Sequence, residues 1–424
     1  MKVKTILIIL TCTVTSCTID QPNLSNELNK YILEVQSISP EHAFSDLNEL
    51  KPLIASKNTV GLGEATHGTH EFFVYKHRLT KYLVKDGGFR VFIIEGDFAG
   101  SLTMNEYINN EKVAIGKALW DVGYGIWMTQ EFAEFIEWMK TYNANQGANE
   151  KIRFYGCDFN NPFAAAKRIK EYLSKSNLAS PNTRNGLDSI INRKYQDEFS
   201  KKDQISVNSL LQELDAAFDR KDGEFDSEYK LNKHCKRELE QYFELKSADR
   251  KTQIILRDKF MAENILWINS FERQQKSIFW AHNEHIKNDK AESDQKPTGY
   301  YLKKVMHDDY YSLGFSFYRG KVGGYNAGEK KYDSFEVPEM SSKKLLDAVF
   351  NECAFPQFIL DVGSTGNNSQ IQKFLNKELY QRTIGAGFYP DGKMRNHFRK
   401  GKLIDRFDGI IFFRDTNPVS VLGN

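Results

Sequence analysis

Short runs of β-branched, aliphatic and aromatic residues recur along the chain. They fall at Thr59–Leu62, Phe89–Ile94, Ile152–Gly156, Ser277–Trp280, Tyr310–Phe317, Phe358–Val362 and Gly409–Phe413. Runs of this length without polar alternation read as strands buried on both faces. Helical patterns lie between several of them. Phe72, Tyr75, Leu79, Tyr82 and Leu83 recur mostly at spacings of three and four, as do Phe132, Phe135, Ile136, Met139 and Tyr142. Strands alternating with helices predict an α/β fold, a mainly parallel sheet flanked by helices.

Residues 165–272 differ. They are rich in charge, and AAAKRIKEYL, VNSLLQELDAAF and CKRELEQYFELKSADRKTQIILRDKFMAENILWINSF read as helices. This stretch predicts an inserted helical subdomain beside or over the sheet. Its charges fit a solvated helix face or a lid over a site. The glycines of residues 319–340 fit a hairpin or a mobile loop.

The first residues, MKVKTILIILTCTVTSC, pair a basic start with an apolar stretch too short to span a bilayer. Val14-Thr15-Ser16-Cys17 looks like a lipobox, in which the cysteine is lipidated. The expectation is a lipoprotein signal peptide over 1–17, a polar tether over 18–39 and a catalytic domain over 40–424. Such a chain would sit in a bacterial cell envelope, outside the cytoplasm, held to the membrane by its N-terminal lipid. Three cysteines remain beyond the signal, Cys157, Cys235 and Cys353, an odd number without a CxxC. They give no disulfide framework or zinc ribbon, and Cys157 and Cys353 read as buried, inert thiols. Lys+Arg is 58 against 56 Asp+Glu, so no basic excess marks a nucleic-acid binder.

The chemistry concentrates in GLGEATHGTHEFF, residues 61–73, between a strand and a helix. Glu64 and His67 are three apart in this turn. A carboxylate beside an imidazole fixes its tautomer and raises its basicity, as a general base at neutral pH requires. The following helix start leaves backbone N–H groups suited to an oxyanion. Glu95, Asp158, and His282 with His285 also fall just after predicted strands. Parallel sheets gather such residues at one rim. Asp158 reads either as part of that rim or as a cap for the next helix. Lys76 and Arg78 read as surface charges or as partners of Glu95 or Glu71. His282 and His285, with Glu64 or Glu95, have metal-ligand character, so a metal-dependent hydrolase of another ester stays open. GxSxG, HExxH, GxxxxGK[ST] and GxGxxG do not occur, which turns the reading away from serine esterases and toward attack by activated water.

The blocks GLGEATHGTHEFF, GFRVFIIEGD (88–97), TQEFAEFIEWMKTYN (129–143), IRFYGCDF (152–159), RDKFMAENILW (257–267), FWAHNEHI (279–286) and YYSLGFSFYRG (310–320) together resemble the erythromycin esterase family. The resemblance runs in order from about residue 40 to the C-terminus. It implies hydrolysis of the macrolactone ester of erythromycin-like macrolides, hence macrolide resistance, with no cofactor and no metal. It implies that His67 is the base, assisted by Glu64, and that Glu71, Lys76, Glu95, His282 and His285 line the cleft. A distantly similar branch includes haem-binding lipoproteins, so a ligand-binding lipoprotein also stays open.

Overall fold

Alternate residues of the strands go to two different cores. Val91, Ile93, Phe279, Ile410 and Phe412 pack on one face of a sheet; Phe92, Ile94, Ile278, Trp280, Ile411 and Phe413 pack on the other. A period of two with apolar residues on both sides is what a sheet covered twice requires. The computed structural model describes residues 24–109, 112–193, 201–219, 226–289, 295–326, 328–366, 368–388 and 397–423. The signal segment, Cys17 and the first part of the expected tether lie outside these residues.

The strands are β1 (Ile32–Glu34), β2 (Thr59–Leu62), β3 (Val91–Asp97), β4 (Arg153–Asp158), β5 (Ser277–Trp280), β6 (Tyr310–Asn326), β7 (Lys331–Val337), β8 (Gln357–Asp361), β9 (Glu378–Arg382), β10 (Gly387–Phe388), β11 (Phe398–Lys402) and β12 (Gly409–Thr416). The main sheet runs β1-β8-β12-β6-β2-β5-β3-β4. From β12 to β4 all neighbours are parallel, and β8 and β1 close the other edge antiparallel. The mixed, mostly parallel sheet therefore stands as expected. β9 and β11 form a separate ribbon.

Each apolar run of the sequence is a strand, but β6 is twice the expected length. Its second half leaves the sheet and pairs antiparallel with β7, so residues 319–340 are largely a hairpin rather than a loop. Residues 24–38, expected as tether, join the fold. Leu28, Ile32 and Val35 are buried, and β1 pairs with β8. Polar neighbours hide these three residues in the sequence; together they cover the sheet edge.

Helices His70–Lys85 and Gln130–Ala144 pack with the second core. The other face carries Pro162–Lys175, Pro181–Ile191, Lys201–Asp219, Ser227–Ser247 and Arg250–Phe271, with no strand among the described residues between β4 and β5. The last two helices break at Asp249, whose carboxylate accepts from Lys251 N and Thr252 N and so caps the new helix.

Candidate active site

β2, β5, β3 and β4 are neighbours, so their carboxyl ends form one rim. Glu64 and His67 follow β2, His282 and His285 follow β5, Glu95 lies near the end of β3, and Asp158 ends β4. The turn after β2 is held by close approach. A Cβ on Gly68 would stand 2.0 Å from the Gly323 carbonyl oxygen, and one on Gly63 2.2 Å from Asn283 Oδ1. Glycine is needed at both for space; neither has a positive φ.

Glu64 is fully buried and its carboxylate meets three donors. His67 Nδ1 lies 2.5 Å from Oε1, while Lys76 Nζ and Trp280 Nε1, the latter at 2.9 Å, donate to Oε2. Burial opposes the charge, but Lys76 and His67 outweigh it and hold the carboxyl down at about 2. An ionised carboxylate only accepts, so Nδ1 of His67 carries a proton, and in the neutral tautomer this selects the lone pair lies on Nε2. Among the described residues Nε2 makes no hydrogen bond. The His67 ring faces that of His282 at 5.1 Å and that of Trp127 at 6.4 Å between centroids.

Lys76 is not a surface charge, and its direct ion pair is with Glu64 rather than with Glu95 or Glu71. It is fully buried, with Nζ 3.9 Å from the Trp280 ring centroid. Burial lowers it to about 8 against the pull of Glu64. Arg78 points the other way, to Asp46 and the carbonyls of Ser37 and Ala43.

The two later histidines are in opposite states. Burial and the neighbouring His67 push His282 down to about 4. Its Nδ1 accepts from Glu284 N at 3.2 Å, and Nε2 is 3.4 Å from Thr383 Oγ1. His285 is buried too, but its Nδ1 lies 2.7 Å from Asp258 Oδ1, and its Nε2 lies 3.4 Å from Glu95 Oε1 and 3.2 Å from Arg257 Nη1. The two acids outweigh both burial and Arg257 and raise it to about 10. His282 is thus neutral and His285 cationic near pH 7.

Glu95 joins these groups. Its Oε2 accepts from His282 N at 2.9 Å and its Oε1 from Arg257 Nη2 at 2.9 Å. Burial works against its charge, and His285, His67 and Arg257 keep it well below the usual carboxylate range. Arg257 also donates to Asp158 Oδ2 from Nε (3.1 Å) and Nη2 (2.5 Å), and Tyr124 donates to the same oxygen at 2.8 Å. Asp158 is therefore a rim residue. The next helix takes its cap from Asn161, whose Oδ1 accepts from Phe163 N.

Glu71 does not share this cluster. Its two oxygens accept from Asn417 N and Nδ2 at 2.9 and 2.8 Å. The expected oxyanion donors at the helix start are also partly used, since His70 N donates to the Asn417 carbonyl at 2.9 Å. Among the described residues no group of three or more His, Cys, Asp or Glu side chains is arranged to hold a metal ion.

Arg257, Asp258, Tyr124, Trp127 and Thr383 complete the site, and the strand-end argument misses all five. Arg257 is 99 residues from Asp158 and sits on the helical insertion. Only RDKFMAENILW carried a signal: its first two residues are the ones that reach the rim.

A parallel sheet with imidazoles and carboxylates gathered at its carboxyl rim is suited to acid–base chemistry on a small molecule. The chain belongs to the erythromycin esterase family, whose profile matches residues 84–416. The Glu64–His67 turn precedes that span. An Escherichia coli protein named erythromycin esterase type II is 25% identical over 351 residues, covering 73% of this chain and 82% of its own length. A putative hydrolase, YbfO, of Bacillus subtilis strain 168 is 24% identical over 411 residues, covering 89% and 88%. Among solved structures, a Bacillus cereus protein superposes with a TM-score of 0.83 at 22% identity, covering 94% of this chain and 98% of its own. A mutant of the erythromycin esterase EreC in its open conformation superposes with a TM-score of 0.69 at 15% identity, covering 91% and 98%. The fold is that of the erythromycin esterases. Family membership supports a hydrolase of the esterase kind acting on a small molecule.

Proposed function

We propose that this protein opens the macrolactone ester of erythromycin-like macrolides with water activated by His67, and so confers macrolide resistance. The observation that carries the reading is the buried Glu64–His67 pair, with the proton fixed on Nδ1 and Nε2 left to take another. Nε2 removes a proton from water, and the water oxygen attacks the lactone carbonyl. The tetrahedral oxyanion forms beside cationic His285 and Arg257. Lys76 does not take that part, because it is sealed against Glu64 and Trp280. When the intermediate collapses, the ring C–O bond breaks. The alkoxide receives the proton from Nε2, and the product is a hydroxy acid.

His67, Glu95 and His282 are 7%, 4% and 6% exposed, so the rim is nearly closed. A bulky lactone reaches His67 only when the groups packed around it move apart. Incubating the purified protein with erythromycin tests the reading. A product heavier by one water is expected; unchanged drug after many enzyme equivalents overturns it. We further propose that the chain is held on the envelope through lipidated Cys17. Membrane fractionation should then release the Cys17→Ala variant.

A further inference from the structure

The segment after β12 crosses the back of the catalytic turn and bonds at almost every residue. Asn417 N and Nδ2 donate to Glu71, and the Asn417 carbonyl accepts from His70 N at 2.9 Å. Val419 N donates to the Gly68 carbonyl at 3.2 Å. Ser420 then changes partner. Its carbonyl accepts from Gln130 N at 2.7 Å, and its N–H is shared by the two Glu131 oxygens, each at 3.1 Å. Leu422 N closes the run on the Met128 carbonyl at 2.9 Å. Isolated bridges at Thr69–Pro418 and Thr129–Val421 confirm the extended pairing on both sides.

Two turns are joined in this way, and directly as well, since His70 Nδ1 lies 2.7 Å from Glu131 Oε1. One turn presents His67. The other presents Trp127, whose ring packs edge-on against His67 and whose Nε1 donates to the Glu95 carbonyl at 3.1 Å. Those turns belong to elements distant in sequence. Ring contacts of Phe73 with Trp127 and of His77 with Phe135 also pack them together, and the segment after β12 adds backbone hydrogen bonds to both turns at once.

We infer that residues 417–422 form a clasp, received by Glu71 and Glu131, that sets the His67 turn against Trp127. Glu71 and Glu131 are positioning residues: they act through the turns and do not touch the reacting atoms. The kinetic arm of the test rests on the esterase reading; the spectroscopic arm does not. The short Glu64–His67 hydrogen bond should give a far-downfield imidazole proton resonance, assigned by its loss in His67→Asn. In full-length Glu131→Ala this resonance is expected to broaden through faster exchange with water. kcat should fall roughly ten- to a hundredfold while KM changes about twofold at most, as for a misplaced catalytic group. Glu131→Gln keeps an acceptor oxygen and should restore most of both. If Glu131→Ala does not fold, Ser420→Pro decides, because it deletes one N–H of an exposed residue. A resonance and exchange rate unchanged in the variant that folds overturn the clasp. A sharp resonance in wild type without any esterase activity would instead remove the functional reading and leave the clasp to be judged by the variants.

Discussion

The turns after β2 and β5 each put histidine against carboxylate, yet they arrive at different chemistry. After β2, His67 is hydrogen-bonded to one acid, and that acid is shared. Glu64 divides its charge among His67, Lys76 and Trp280. After β5, His285 has two acids, Asp258 and Glu95, and is driven up to about 10. His282, with no acid on its ring, is driven down to about 4. Spacing alone does not assign acid and base roles; what assigns them is how much negative charge each imidazole keeps for itself. One turn holds an imidazole whose Nε2 makes no hydrogen bond among the described residues, the base of the proposed mechanism, and the other holds a cation.

The largest expected effect comes from deleting the proposed base. His67→Asn should lower kcat/KM for the lactone by roughly a thousandfold or more with the fold intact by circular dichroism, in the range expected for loss of a general base. Retained turnover would erase the distinction between the two turns. Glu64→Gln is next and acts twice. The tautomer of His67 is no longer enforced, and Lys76 is left buried without its counter-charge. Breaking a buried pair from one side costs about 3–5 kcal/mol, so this variant should lose stability in urea as well as activity. His67→Asn should not lose it.

His285→Asn sharpens the contrast through pH. The folded-state value of His285 lies above its ordinary 6.5, at about 10. Its contribution to stability is thus complete below about pH 6.5 and is lost as pH rises toward 10. Lys76, lowered to about 8, pulls the other way above pH 8, so the reading is the difference between two curves. The melting temperature of wild type should fall more steeply from pH 6.5 to 10 than that of His285→Asn. Parallel curves would remove the cationic role. Tyr124→Phe is the smallest change. It removes one donor to Asp158 and one partner of Arg257, worth about 1 kcal/mol, or a severalfold loss of kcat measured at saturating lactone.

Much of the fold was legible because buried strands announce themselves. Thr59–Leu62 and Ser277–Trp280 match their apolar runs to the residue. β1 was not, since Ile32 and Leu33 sit in a polar stretch and become a strand only by pairing with β8. The rim was legible for a related reason. A polar residue ending an apolar run is carried to the sheet's rim, and Glu64, Glu95, Asp158 and His282 all obey. Arg257 and Asp258 obey no such rule. They occupy one helix among several charged ones, and only the packing of that helix against the sheet picks them out. Glu71 shows the converse failure. The family resemblance put it in the cleft, but the chain returns some 346 residues later and claims it through Asn417.

The central claim is that water itself, made nucleophilic by His67, attacks the lactone. A single turnover in heavy-oxygen water, with enzyme in excess over erythromycin, tests it most directly. One labelled oxygen should appear in the new carboxylate and none in the protein. An unlabelled product, with the label instead in the side chain of Glu64 or Glu95, would mean that a carboxylate attacked first, and would contradict the account.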